Sequence, residues 1–136
     1  MVSNRKLGNT FEADFCEILY GHGFWVHNLA QNQAGQPADV IAVKGKLAYL
    51  IDCKVCSSKG FPYSRVEDNQ HLSMQMWAEC GNGAGWFALR IADEIYMVPY
   101  HTVKYLSKKK STMNLEEIRK YGTPIEEWIK NADKRI

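Results

Sequence analysis

Apolar residues recur every three or four positions at the start of the chain. Leu7, Phe11, Phe15, Ile18 and Leu19 share one helical face, and Gly21 and Gly23 interrupt the pattern, so residues 4–21 read as an amphipathic helix. The pattern then changes. Residues 24–28 (FWVHN) read as a strand, and residues 29–37 (LAQNQAGQP) as a polar loop closed by Gly35 and Pro37. Residues 39–43 form a second strand, and Lys44-Gly45-Lys46 turns it into a third over residues 47–55, a hairpin. The third strand, LAYLIDCKV, is apolar on both faces except at Asp52 and Lys54, which marks a central strand covered on both sides. A loop with Gly60 and Pro62 follows. Ser64 and Glu67 fit a capping box opening a helix that runs to about Cys80, where Gly81, Gly83 and Gly85 end it. Residues 86–92 and 94–99 read as strands, and His101 to Leu106 as a short helix.

Lys108-Lys109-Lys110-Ser111 has the look of a hinge. Beyond it, Asn114-Leu115-Glu116-Glu117 and Thr123-Pro124-Ile125-Glu126 are helix starts, the second with proline in its first turn. The expected fold class is α/β, with a mixed central sheet flanked by helices. The expected division is a domain over residues 1–106 and a helical C-terminal extension over 107–136.

Composition adds bounds. The chain has 136 residues, 46% hydrophobic and 24% charged, the balance of a folded domain with one ordinary core. The formal charge of +2 does not itself announce nucleic acid, so any basic surface has to be local. No apolar run approaches the ~20 residues of a membrane helix, and MVSNRKLGNTFEADF lacks a secretory pattern. The expectation is an intracellular protein in a reducing compartment, with no membrane partner. Cys53 and Cys56 form a C-x-x-C, a redox or zinc signal in other settings. Here the pair lies on a strand, where positions three apart face opposite ways, so buried thiols acting as small apolar groups are preferred.

The candidate chemistry sits on the third strand. Asp52 and Lys54 are two apart and project from one face. Charges in an apolar strand are costly unless they are used or paired, and a plain salt bridge is one way to pair them. Asp39 opens the preceding strand, and the hairpin brings it beside Asp52 and Lys54. Two converging carboxylates repel, and a divalent cation relieves that. Carboxylate oxygens, the backbone carbonyl of Cys53 and waters suit Mg²⁺, with Mn²⁺ as its expected substitute. Such a metal can polarise a phosphoryl oxygen and activate a water, and Lys54 is the candidate to orient that water or steady the charge growing on phosphorus. Glu12, at the edge of the first helix's apolar stripe, reads equally as a group facing the site or as an exposed glutamate. Gln70 shares a helical face with Met74 and Trp77, so its amide needs partners, in the site or within the core.

Pro37-Ala38-Asp39, twelve residues, then Asp52-Cys53-Lys54 resembles the PD…(D/E)xK motif of the restriction-endonuclease-like nucleases. Within them the likeness is to Holliday-junction resolvases of the archaeal and Gram-positive bacterial kind. It is carried by Gly21-His22-Gly23-Phe24, residues 38–42, residues 49–55 and Trp86-Phe87-Ala88-Leu89-Arg90, while Gly8…Glu12 and Gln70 fit the wider superfamily, and the resemblance covers roughly residues 4–100. The resemblance implies a restriction-endonuclease-like core and a homodimeric, metal-dependent endonuclease acting on branched DNA in a bacterial, archaeal or phage-infected host. Glu12, Asp39 and Asp52 would hold metal, Lys54 would serve the water, and Gln70 would support the site. Asp52 stands where these resolvases more often have Glu, and its shorter side chain changes the reach to a metal. Other substrates of the same fold, as in restriction or repair, are the alternative enzymatic reading, and a binding protein without catalysis is a third.

Phosphate contacts need local cations. The candidates are Arg5 and Lys6 before the first helix's stripe, Lys44 and Lys46 on the hairpin turn, and Lys59 and Arg65 around the loop after the third strand. Phe61 and Tyr63 in that loop would either stack on exposed bases or anchor the loop on the core. Lys108 to Lys110 read equally as a solvated face.

Overall fold

The computed structural model describes residues 4–29 and 38–134, with side chains from residue 10 onward. Most of the loop expected at 29–37, and the side chains of Arg5 and Lys6, therefore lie outside the described residues. Helix α1 (Asn4–Gly21) ends where His22 N–H and Phe24 N–H both return to the Leu19 carbonyl and Gly23 takes φ 87°. Strand β1 (Trp25–Asn28) leads to the hairpin of β2 (Val40–Lys44) and β3 (Leu47–Cys56), whose turn places Gly45 and Lys46 at φ 59° and 73°.

A two-residue strand β4 (Phe61–Pro62) and a single tight turn (Tyr63–Arg65) precede helix α2 (Asp68–Trp77). The helix therefore starts three residues later than the Ser64–Glu67 box predicts. Its N-cap is Glu67, and the Gln70 side chain accepts the Glu67 backbone N–H at 3.0 Å. Ser64 is spent on the turn that precedes it. A wider π-type turn (Ala78–Asn82) follows, then β5 (Trp86–Ile91), β6 (Glu94–Pro99) and α3 (Tyr100–Ser107). The last elements are β7 (Thr112–Met113), α4 (Leu115–Tyr121), β8 (Thr123–Pro124) and α5 (Ile125–Lys134).

The main sheet has the order β1-β2-β3-β5-β6-β8, and only β3 and β5 run parallel. Strand β3 lies inside it, as its two-sided apolar pattern predicts. Alternate side chains feed two cores, one on each face. Leu50, Phe87, Leu89 and Val98 pack under α2, α3 and α4 with Met74, Val103 and Ile118. Ile51, Cys53, Val40, Ala42 and Ala88 pack against Phe11, Phe15 and Leu19 of α1 and against Ile125, Trp128, Ile129 and Ala132 of α5. Cys53 and Cys56 thus fall into opposite cores, and both are buried free thiols.

Residues 107–134 are mainly helical, and their helices are seated in these same cores. Strand β8 pairs with Tyr96 and Met97, and the Trp128 ring stacks on Phe24 at 5.9 Å and meets Tyr49 edge-on at 5.0 Å. The segment expected to be a hinge, 108–111, leads into β7, which pairs with β4 in a small second sheet, and Tyr63 N–H donates to the Ser111 carbonyl at 3.0 Å.

Candidate active site

The hairpin register decides the geometry. Val40 lies opposite Ile51, and the Asp39 N–H donates to the Ile51 carbonyl at 3.1 Å, so Asp39 stands across from Asp52. Its carboxylate Oδ2 accepts the Cys53 backbone N–H at 2.8 Å. That bond fixes Asp39 to the middle residue of the Asp52-Cys53-Lys54 run.

Asp52 is completely buried. Its Oδ1 accepts from Gln70 Nε2 at 3.1 Å. Lys54 Nζ stands 3.1 Å from Oδ2, close enough to pair charges but outside hydrogen-bond alignment, so Oδ2 is buried without a hydrogen-bond partner. Burial drives the Asp52 carboxyl well above its usual pKa, the Asp39 charge raises it further, and Lys54 opposes both. Gln70 Oε1 lies 3.5 Å from Lys54 Nζ while holding the Glu67 N–H. One amide therefore ties the acid, the lysine and the first turn of α2 together. Both readings offered for Gln70 meet in this residue: its amide is satisfied, and the partners are the site's own groups.

Glu12 reaches the cluster from α1, which packs on the other face of the sheet. It is 9% exposed, and its pKa is raised to about 7, first by burial, then by Asp39, with Lys54 opposing. Periodicity alone left it between an exposed and an inward glutamate, and the fold turns it inward. Cys16, one helical turn on, is pushed up to about 11 by burial, Glu12 and Asp39. Among the described residues, no group of three or more His, Cys, Asp and Glu side chains closes to metal-ligating geometry. The carboxylates are neighbours, not a finished cage.

The expected phosphate contacts fare unevenly. Lys44 is occupied: its Nζ donates to the His22 carbonyl and to Asp133 at 2.5 Å each, and lies over the Phe24 ring. Lys46 is exposed on the hairpin turn, eight residues of extended strand and so roughly 26 Å from Lys54. Lys59 is exposed in the loop just past β3. Phe61 and Tyr63 are buried, so of the two roles offered for them they take the anchoring one and have no free face for a base. Arg65 is exposed, with Nη1 donating to the Val55 carbonyl at 2.7 Å and its guanidinium over the Phe61 ring. The short β4–β7 sheet, which fixes this loop, was missed, since two-residue strands leave no periodic trace.

The model of one protein family, archaeal Holliday junction resolvase (Hjc), matches residues 3–136, including the C-terminal segment beyond the motif-bearing region. No curated protein sequence matches. Among solved structures, Archaeoglobus fulgidus Hjc, a Holliday junction resolvase from an archaeal hyperthermophile, is similar in fold, with a TM-score of 0.66 and 19% identity over 90% of this chain and 99% of that one. With the family model covering all but the first two residues, the chain belongs to the archaeal Holliday junction resolvases, structure-selective nucleases of DNA.

Proposed function

We propose that this protein cuts backbone phosphodiesters of four-way DNA junctions in a divalent-metal-dependent reaction centred on Asp39, Asp52 and Lys54. The observation that carries the reading is the fully buried Asp52 carboxyl, set against a second carboxyl and a lysine, with one oxygen held by charge pairing alone. Fold stability alone gives no reason to bury such a group.

The residues suit Mg²⁺. The donor set is all oxygen: Asp39, the unbonded Asp52 Oδ2, the Cys53 carbonyl and, from the other face, Glu12. Mg²⁺ keeps several waters, so it does not need three protein ligands already closed around it. A bound cation supplies positive charge to polarise a phosphoryl oxygen and to make water a better nucleophile. The chain's own groups do the rest. Lys54, 14% exposed at its side chain, faces the place where a phosphate would enter and opposes the charge that grows on it. Gln70 keeps Lys54 and Asp52 in register, so neither must reorganise during the reaction. The Cys53 N–H keeps Asp39 turned toward Asp52.

Resolving a junction takes two symmetric cuts, and one chain carries one such site, so the working form is a homodimer. Lys59 and Arg65, on the loop leaving β3, are the phosphate contacts nearest the site.

The test is cleavage of labelled four-way junction, flap, single-stranded and duplex DNA in Mg²⁺ and in EDTA. The expected result is cutting of the junction in Mg²⁺ only, abolished in Asp52→Asn with junction binding intact. Undiminished cutting by Asp52→Asn would remove the basis for the proposed site.

A further inference from the structure

The positive charge of this chain is not spread evenly. Residues 104–121 carry six Lys and Arg against two Glu, a net of +4, whereas the whole chain has +2. Everything outside those eighteen residues is therefore net negative. Within the stretch, Lys110 is paired with Glu117 at 2.8 Å and Arg119 with Glu94 at 3.8 Å. Lys104, Lys108, Lys109 and Lys120 form no salt bridge among the described residues.

Two of these ammonium groups are held over exposed phenol rings. Lys109 Nζ lies 4.5 Å from the centre of the Tyr105 ring, and Lys120 Nζ lies 5.3 Å from that of Tyr121. The rings are 58% and 41% exposed, although each is large enough to have been buried. Tyr105 is on α3 and Tyr121 ends α4, and the Lys110–Glu117 ion pair at 2.8 Å fastens the segment leaving α3 to α4, which puts the two in one region of the surface. A ring beneath a lysine restricts where the ammonium goes without neutralising it.

The surface is bolted to the exit of the candidate catalytic strand. Pairing of β7 with β4 joins it to the loop carrying Lys59, and Gly60 permits the approach: at φ 92°, a Cβ there would lie 2.2 Å from the Met113 carbonyl oxygen. Helices α3 and α4 cover the face of the sheet from which Gln70 reaches Asp52.

We propose that Tyr105, Lys108, Lys109, Lys120 and Tyr121 form a second DNA contact, which grips the phosphate backbone of one duplex arm while a strand of the junction lies at Asp39, Asp52 and Lys54. This rests on the reading of branched DNA as the substrate. Unpaired cations on a rigid patch, in a chain otherwise net negative, complement a polyanion, and a duplex arm presents one charge per ~1.7 Å of axis. The contact is to backbone, so it carries no base preference.

The test measures junction binding by fluorescence anisotropy across a salt series in EDTA, so that cleavage plays no part. The variants are Lys108→Gln/Lys109→Gln/Lys120→Gln and, as a control, Lys130→Gln/Lys134→Gln on α5, across the sheet. Loss of up to three phosphate contacts should flatten the slope of log K against log salt by as much as about 3 and weaken binding at least about tenfold near 0.1 M salt. The control should keep the wild-type slope. Changes in both variants in proportion to the three and two charges removed, meaning bulk charge alone, or no change in the triple variant, would overturn the proposal. Wild-type protein that binds junctions through this surface but cuts nothing in Mg²⁺ would instead count against the nuclease reading.

Discussion

Glu12→Gln separates what the acidic cluster does for function from what it does to stability. The Glu12 carboxyl titrates near 7 in the folded chain against 4.5 ordinarily, raised chiefly by burial and next by Asp39. At about 1.4 kcal/mol per pH unit, that rise corresponds to roughly 3 kcal/mol. Glu12 is 9% exposed but near the protein surface, where water still screens it, so about 1–2 kcal/mol is the effect to expect. The sign follows from the protons. Below pH 4.5 the carboxyl is neutral in folded and unfolded chains, and there is no penalty. Between 4.5 and 7 the folded chain holds a proton that the unfolded chain has released, so stability falls as pH rises, and above 7 the full penalty applies. Glutamine has the same shape and no charge. Urea unfolding in EDTA at pH 5 and pH 8 should therefore show Glu12→Gln gaining about 1–2 kcal/mol on wild type between the two. In Mg²⁺ the wild type should recover that difference, because a ligand that binds only the folded state stabilises it, while the variant loses cleavage. A gap that does not change with pH, or a variant less stable than wild type at pH 8 in EDTA, would refute the reasoning.

Other outcomes follow from the same geometry. Lys54→Met should lower single-turnover junction cleavage by roughly 10²–10³, the scale of losing one charge-stabilising donor, with junction binding much less affected. Gln70→Leu leaves the Asp52 carboxyl and the Glu67 N–H without their amide partner, so both cleavage and thermal stability should fall, the latter by about 1–3 kcal/mol in a melting comparison. Gly60→Ala should destabilise by about 1–3 kcal/mol, since φ 92° and the Met113 carbonyl both oppose a Cβ; unchanged melting would mean that β4 and β7 separate easily. A chain ending at residue 106 should fail to fold by circular dichroism, because it loses β8 and the α5 side chains that complete one core.

The elements that position the site were legible in the sequence because each depends on a strong local signal. The two-sided apolar run of β3 and the Lys44-Gly45-Lys46 turn fixed a register in which Asp39 faces Asp52. Glu12 was only half legible: the helical stripe put it at the edge of the apolar face, and what turned it inward was the packing of Phe11, Phe15 and Leu19 of α1 onto the sheet. Sequence also misplaced the cap of α2. Ser64 had the right chemistry and spacing, but the Tyr63 N–H is claimed by Ser111, 48 positions away, which commits Tyr63–Arg65 to a separate turn. Non-local pairing of that kind leaves no trace in local propensity. The C-terminal segment did leave one: Ile125, Trp128, Ile129 and Ala132 repeat at helical spacing, the stripe of a helix packed into a core. Likewise Lys44 read as a phosphate contact until the fold put Asp133 beside it, whereas Lys46 stays exposed on the turn.

The placement of Asp52 argues about function more directly than its identity does. A carboxylate at the surface could bind a cation at little cost, but water would compete for it and screen its field. Buried between Gln70 and Lys54, with Asp39 across the hairpin, it would act, in the proposed role, in a medium where each charge counts for more and the geometry is already set. The penalty is a raised pKa in the cation-free state, shared with Glu12 from the opposite face. The two acids lie on separate layers, α1 and β3, held together through two different cores. Asp39 is the neighbour whose charge raises both pKa values, so a cation held there as proposed would relieve both acids, and ion binding and the packing of α1 should strengthen together. This couples the chemistry of the site to the seating of the first helix.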